Sequence, residues 1–198
     1  MSDDRLDRWL AALLETPGLT AIRDEAEARA TLLEGALAAA GLLGEGQVVD
    51  VGSGGGSPGI PLASARPDLD VVLLESNRRK CAFLEEHAAR FGNVSVVCER
   101  AEDHAAGSGR DAYGTAVARA LAAPPVAAEW CLPLVRPGGR VVLFVGPTAD
   151  AKAISDAAAH VAGELEESPA GFVLLRKTGP TPERFPRRPG VAKKRPLA

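Results

Sequence analysis

The chain has 198 residues, of which 46% are apolar and 25% charged, enough to bury one core and too apolar for a disordered chain. No apolar run approaches the roughly 20 residues of a bilayer-spanning helix. The start, Met1-Ser2-Asp3-Asp4, has no apolar signal core, so a cytoplasmic protein with no membrane contact is expected.

The net charge of −3 hides an asymmetry. Between positions 176 and 198 stand eight basic residues against one acid, near +7, and the remainder of the chain is near −10. A basic end on an acidic body points to a local site for a polyanion. Cys81, Cys98 and Cys131 are few, odd in number and without a CxxC pair. That is the pattern of reduced thiols filling a core, and no metal site is expected.

In chain order, residues 3–15 carry Leu6, Trp9, Leu10, Leu13 and Leu14 at helical spacing, and Pro17-Gly18 ends the segment. Asp24 is placed to cap a second helix running to Ala40, with Leu32, Leu33, Ala36 and Leu37 on one side and Gly41 closing it. From there the rhythm changes. Short apolar runs at 47–51, 71–74, 94–98, 116–118, 140–145 and 172–175 alternate with helical stretches at 60–65, 78–90, 125–132 and 151–162. Strand and helix in alternation predict a doubly wound α/β sheet with helices on both faces. Pro137-Gly138-Gly139 predicts a tight turn into the strand at Arg140. Segments 163–166 and 172–175 are joined by Ser168-Pro169-Ala170-Gly171, which reads as a hairpin. A mostly parallel sheet ending in an antiparallel hairpin separates methyltransferase sheets from dehydrogenase sheets.

Directly after the first strand comes Asp50-Val51-Gly52-Ser53-Gly54-Gly55-Gly56-Ser57-Pro58-Gly59. Glycines at 52, 54 and 56 let the backbone turn sharply and approach a ligand closely, and Pro58 is placed to open the next helix. Dinucleotide enzymes also use glycine loops, but GxGxxG started from Gly52 needs glycine at 57, where this chain has serine. Asp50 ahead of the loop gives DxGxGxG, the usual first motif of class I S-adenosylmethionine-dependent methyltransferases. Glu75 closes the second strand, where a carboxylate can accept both ribose hydroxyls of an adenosine. After the third strand, Ala101 would offer a backbone N–H to an adenine ring, and Glu102 would accept from its exocyclic amine. The expected cofactor contacts are thus Asp50, Gly52, Ser53, Gly54, Gly56, Ser57, Glu75, Ser76, Ala101, Glu102 and, after the fourth strand, Arg119.

The stretch Asp50-Val-Gly-Ser-Gly-Gly-Gly-Ser-Pro-Gly-Ile-Pro-Leu62 resembles the DVGxGxGxPGxPL signature of the RsmG (GidB) family. Leu19-Thr20-Ala21-Ile22-Arg23-Asp24, Arg100-Ala101-Glu102, Arg119-Ala120 and Pro186-Arg187-Arg188-Pro189-Gly190 fall in that family's order. The resemblance implies S-adenosylmethionine-dependent methylation of guanine N7 in the 530 loop of 16S ribosomal RNA. It also places Gly52, Ser57, Ala101, Glu102 and Arg119 on cofactor-contacting positions.

The residues agree by exclusion. No Asn/Asp-Pro-Pro-aromatic motif for exocyclic amines follows the fourth strand, and no cysteine beside proline serves pyrimidine C5. Guanine N7 has an in-plane lone pair and needs no base, so no catalytic acid or base is named and Arg119 is a positioning candidate.

Arg187, Arg188, Lys193, Lys194 and Arg195 are the expected RNA-phosphate contacts, on a small ribosomal subunit as partner. Two positions depart from the family's usual residues: Thr31 stands where histidine is usual and Val145 where lysine is usual. The reading is one monomeric domain: a helical cap over 1–44, a Rossmann-like core over 45–178 and a basic tail over 179–198. A methyltransferase with a small-molecule acceptor and a non-catalytic cofactor-binding protein remain open beside it.

Overall fold

The computed structural model describes residues 4–198, so the acidic start Met1-Ser2-Asp3 lies outside the described residues. Helix α1 (Asp4–Glu15) buries Leu6, Trp9, Leu10 and Leu13 along one stripe, as the 3.6-residue period requires. Helix α2 (Glu25–Ala28) is capped by Asp24, whose carboxylate accepts from the Glu27 N–H at 2.8 Å. A π-helical turn over Arg29–Glu34 follows, then α3 (Gly35–Leu37) and a 3-10 turn over Ala40–Leu42. The second expected helix is therefore present but widened in its middle, where the Gly35 N–H reaches the Ala30 carbonyl.

Seven strands follow: β1 (Val48–Val51), β2 (Val71–Leu74), β3 (Val94–Val97), β4 (Tyr113–Arg119), β5 (Val135–Phe144), β6 (Gly163–Glu166) and β7 (Phe172–Lys177). They form one sheet in the order β3-β2-β1-β4-β5-β7-β6. The first five are parallel, and β7 runs antiparallel to both β5 and β6. The crossovers carry α4 (Gly59–Ala65), α5 (Arg78–Ala88), α6 (Ala101–Ala106), α7 (Pro124–Cys131) and α8 (Ala151–Ala159), and α9 (Val191–Lys194) lies in the tail. The expected β6–β7 hairpin is present.

Strand β5 starts earlier than expected. It pairs at Val135 with Tyr113, and Pro137-Gly138-Gly139 bulges out within it before Arg140 pairs with Thr115.

Strands β1 and β2 are buried at every position, because helices cover both faces. Their side chains divide by parity. Val48, Val71 and Leu73 face a core shared with α1, α4 and α5, and Val49, Val51, Val72 and Leu74 face one shared with α7 and α8.

One sequence expectation changes. Cys131 is a free, buried thiol, but Cys81 and Cys98 form a disulfide, with Cα atoms 5.8 Å apart. The fold brings the start of α5 beside the residue that follows β3, and a separation of 17 residues gives no sign of this in the sequence. The basic tail is packed against the core. Lys177, fully buried, gives its ammonium protons to Thr181 Oγ1 at 2.6 Å, the Leu132 carbonyl at 2.7 Å and Asp111 Oδ1 at 3.1 Å. Arg110 donates to the carbonyls of Thr181 and Phe185, each at 2.7 Å. Among the described residues, no helix is long and apolar enough to cross a membrane.

Candidate active site

The sheet order reverses between β1 and β4, and the crevice beyond the carboxyl ends of strands at such a point is where open α/β sheets bind ligands. The glycine loop leaves β1 there. The N–H groups of Gly52 and Ser53 both donate to the Leu74 carbonyl, at 2.8 and 3.1 Å, so the loop is stitched to the end of β2. Gly52 has φ +71, and a Cβ there would fall 2.4 Å from Leu121 Cδ1. The positive φ is what calls for glycine, since the Leu121 methyl can turn aside.

Gly52 also joins two cavities. One, of about 210 Å³, is lined by the loop from Gly52 to Gly55 with Ser57, Arg119 and the N-terminal residues Leu13, Leu19 and Leu32. The other, of about 220 Å³, lies under Ser76, Ala101, Glu102, Leu121, Trp130 and Lys193. Each alone is below the roughly 300 Å³ of an ordinary small-molecule site, and the two lie on either side of Gly52, which lines both. A bipartite ligand with an amino-acid half and a nucleoside half suits this shape.

The predicted contacts fall into two groups. Gly52, Ser53, Gly54, Ser57, Ser76, Ala101, Glu102 and Arg119 line the two cavities. Asp50 does not. It lies 1% exposed beneath the loop, where Oδ2 accepts from the Gly59 N–H at 2.9 Å and Oδ1 has no partner. Burial, opposed by the Gly59 hydrogen bond, pushes its carboxyl up to about 7. Asp50 thus shapes the entry into α4. Ser53 likewise turns its hydroxyl inward, to the Asp50 carbonyl at 2.8 Å.

Glu75 stands at the end of β2, but the expected two-oxygen grip on a ribose is pre-empted. Oε1 accepts from the N–H groups of Ser76 and Asn77, each at 2.8 Å, and Oε2 accepts from Gly54 at 3.0 Å. A carboxylate has about four acceptor sites, so Oε2 keeps one for a hydroxyl while Oε1 is filled by the turn. Glu102, 6% exposed, accepts from the Gly190 N–H through Oε1 at 3.0 Å and keeps Oε2 for another donor.

Arg119 ends β4 and donates to the Thr31 carbonyl at 2.6 Å, and Ser57 Oγ donates to the Leu32 carbonyl at 2.5 Å. Both acceptors belong to the π-helical turn, so the widened helix hands two carbonyls to the ligand site. Burial lowers the Arg119 guanidinium from its ordinary value, and the Asp50 carboxylate opposes this. Ala120 beside it has φ +52, a strained conformation for a residue with a Cβ and a common mark of functional turns. Across Arg119 and Ala120 a third cavity opens, lined also by Thr31, Phe144, Val145 and Gly171. The two departures from the family's usual residues, Thr31 and Val145, therefore meet in one place.

Arg187, expected at an RNA phosphate, is engaged within the protein. Its guanidinium forms a two-bond ion pair with Glu129, which is 3% exposed, and also donates to the Arg195 carbonyl at 2.9 Å. Those donors are committed inside the protein. Arg188, Lys193, Lys194 and Arg195 are exposed. Sequence reasoning missed Trp9, Leu121 and Trp130, whose spacing reads as ordinary core.

Dehydrogenases share the doubly wound sheet but not its closing antiparallel hairpin, and the residues here fit a sulfonium nucleoside in two joined halves. The chain is a class I methyltransferase, and S-adenosylmethionine is its cofactor. The profile of the rRNA small subunit methyltransferase G (GidB) family matches residues 5–169, and the chain belongs to that family. A ribosomal RNA small subunit methyltransferase G of Pelotomaculum thermopropionicum is 42% identical over 76% of this chain and 69% of its own length. Its counterpart in Symbiobacterium thermophilum is 40% identical over 92% of this chain and 84% of its own. Among solved structures, the antibiotic-resistance methyltransferase Kmr superposes with a TM-score of 0.54 at 18% identity, covering 72% of this chain and 91% of its own, a likeness of fold.

Proposed function

We propose that the chain transfers the methyl group of S-adenosylmethionine to N7 of a guanine in the 530 loop of 16S ribosomal RNA, within the small ribosomal subunit. The observation that carries this reading is the third cavity. It adjoins the loop at Arg119 and Ala120, and its lining of Thr31, Gly35, Phe144, Val145, Gly146 and Gly171 holds no carboxylate, histidine or lysine. An amine or hydroxyl acceptor must lose a proton and wants a base. Guanine N7 has a free in-plane lone pair and wants only alignment, worth on the order of 7–11 kcal/mol when a near-attack geometry is held.

Bound S-adenosylmethionine supplies an electrophilic methyl on a sulfonium. The protein's residues do the rest. The loop from Gly52 to Gly54 and Glu75 hold the ribose side, Ala101 and Glu102 the adenine, and Ser57 and Arg119 fix the wall between the two substrates. Phe144 offers a ring face for a flipped-out base. Methyl transfer to the N7 lone pair would leave the S–C bonding pair on sulfur and pass the positive charge to the purine, so the chain's residues would need only to align the two. No proton moves.

The test incubates the protein with labelled S-adenosylmethionine and small subunits lacking native N7 methylation, then maps label by cleavage at 7-methylguanine. Label at one guanine of the 530 loop is the expected result. Cofactor binding by calorimetry without label in the RNA would refute the acceptor.

A further inference from the structure

The segment from Arg187 to Lys193 crosses the mouth of the nucleoside half of the site, far in sequence from every motif that builds it. Three contacts fasten it there. Arg187 pairs with buried Glu129. Ala192 packs, 2% exposed, against Val126 and Trp130. The Lys193 ammonium lies 5.2 Å from the centre of the Trp130 ring. Between them, Arg188-Pro189-Gly190-Val191 makes a tight turn closed by the Val191 N–H on the Arg188 carbonyl at 3.1 Å. Gly190, at φ +79 and ψ −6, has the third-position geometry of a type II turn with proline before it. That geometry sends the Gly190 N–H outward, and it is this proton that Glu102 Oε1 accepts. Trp130 and Lys193 line the same cavity, and the buried Trp130 Nε1 has no partner.

We infer that this strap is part of the cofactor site: the Gly190 N–H is a positioning group that fixes the Glu102 carboxylate for the exocyclic amine of adenine, and Trp130 with Lys193 forms the outer wall. The inference rests on the reading of this cavity as the adenosine subsite. A basic tail is not needed for any of it. One oxygen of Glu102 is held by the turn, so the other is left at a defined position for the ligand. A carboxylate held in this way prefers a base that donates there, an adenine, over one that presents a carbonyl, a hypoxanthine.

The test compares S-adenosylhomocysteine with S-inosylhomocysteine by calorimetry on the full chain. Wild-type protein should prefer the adenine compound by a factor of about ten or more, the scale of one charge-assisted hydrogen bond. Gly190→Pro removes the N–H and cannot adopt φ +79, and should erase most of that preference. Gly190→Asn keeps the N–H and tolerates the left-handed conformation, and should restore discrimination to within about twofold of wild type. A Cβ at 190 meets nothing within 4 Å, and matching melting temperatures for the two variants would show that folding is not what separates them. Preserved discrimination in Gly190→Pro overturns the inference alone. Wild-type protein that binds both nucleosides equally, or neither, overturns the adenosine-subsite reading and the inference with it.

Discussion

A carboxyl group sealed beneath a backbone loop trades charge against burial, and at Asp50 the balance falls near neutrality. Its carboxyl sits at about 7 because burial outweighs the Gly59 N–H and the nearby Arg119. In the unfolded chain the same group loses its proton near pH 4. Between those values the native state binds more protons than the unfolded one, so stability is full below about pH 4 and falls as pH rises to about 7. The loss is on the order of 1–4 kcal/mol and is constant above that. Asp50→Asn cannot ionise but keeps a carbonyl oxygen for Gly59. Urea midpoints taken at pH 5 and pH 7.5 should fall in wild type and change much less in the variant. Parallel curves would mean that some other group carries the dependence.

At the scale of elements, the N-terminal helices cover the cavity beside the glycine loop. Two hydrogen bonds tie them to the loop, Trp9 Nε1 to the Gly55 carbonyl at 2.8 Å and Ser57 Oγ to the Leu32 carbonyl, and a third ties them to Arg119 at the end of β4 through the Thr31 carbonyl. Trp9→Phe keeps an aromatic ring in the core but leaves a buried carbonyl without its donor, a loss of about 1–3 kcal/mol. In a chain of this size that lowers the melting temperature by roughly 2–10 °C. A loosened loop binds ground state and transition state equally less well, so KM for S-adenosylmethionine should rise with kcat unchanged. A fall in kcat alone would place Trp9 in the alignment of the methyl group instead.

These elements also show what the sequence made legible. Apolar runs announced β1 and β2 because both faces of each are buried, and Asp24 announced its helix because a cap has a fixed local pattern. The π-helical turn left no such sign, since its apolar positions Leu32 and Leu33 fit an ordinary helix equally well. Asp50 and Glu75 were visible as motif carboxylates. Their occupation by the N–H groups of Gly59, Gly54, Ser76 and Asn77 depends on how the loop closes, which spacing does not encode. The strap was hidden for a like reason: Arg187 and Glu129 are 58 positions apart, and Gly190 and Glu102 are 88 apart.

Over the whole molecule, an acidic body must approach a polyanion through its few unpaired cations. The tail is near +7 by composition, yet Lys177 and Arg187 are spent inside the fold, and Lys193 lies on Trp130 at the cofactor wall. Arg184 is turned to His160 and the Phe185 ring, which leaves Arg188, Lys194 and Arg195 exposed and close together in sequence. If they meet phosphates, each contact releases about 0.7–0.9 of a counterion. Changing all three to glutamine should then reduce the slope of log affinity against log salt by about 2–3, raise KM for ribosomal RNA and leave S-adenosylhomocysteine affinity as it was. Gly190→Pro acts on the same segment in the opposite sense, on nucleoside discrimination rather than on salt dependence, so the two sets of variants separate the inward from the outward work of one short stretch. An unchanged salt slope would move the RNA contact elsewhere. The other arginine-rich hollow, formed by Arg136, Arg140 and Arg176, already spends bonds on the Glu45 carbonyl and on Glu166, which is why the prediction is placed on the tail.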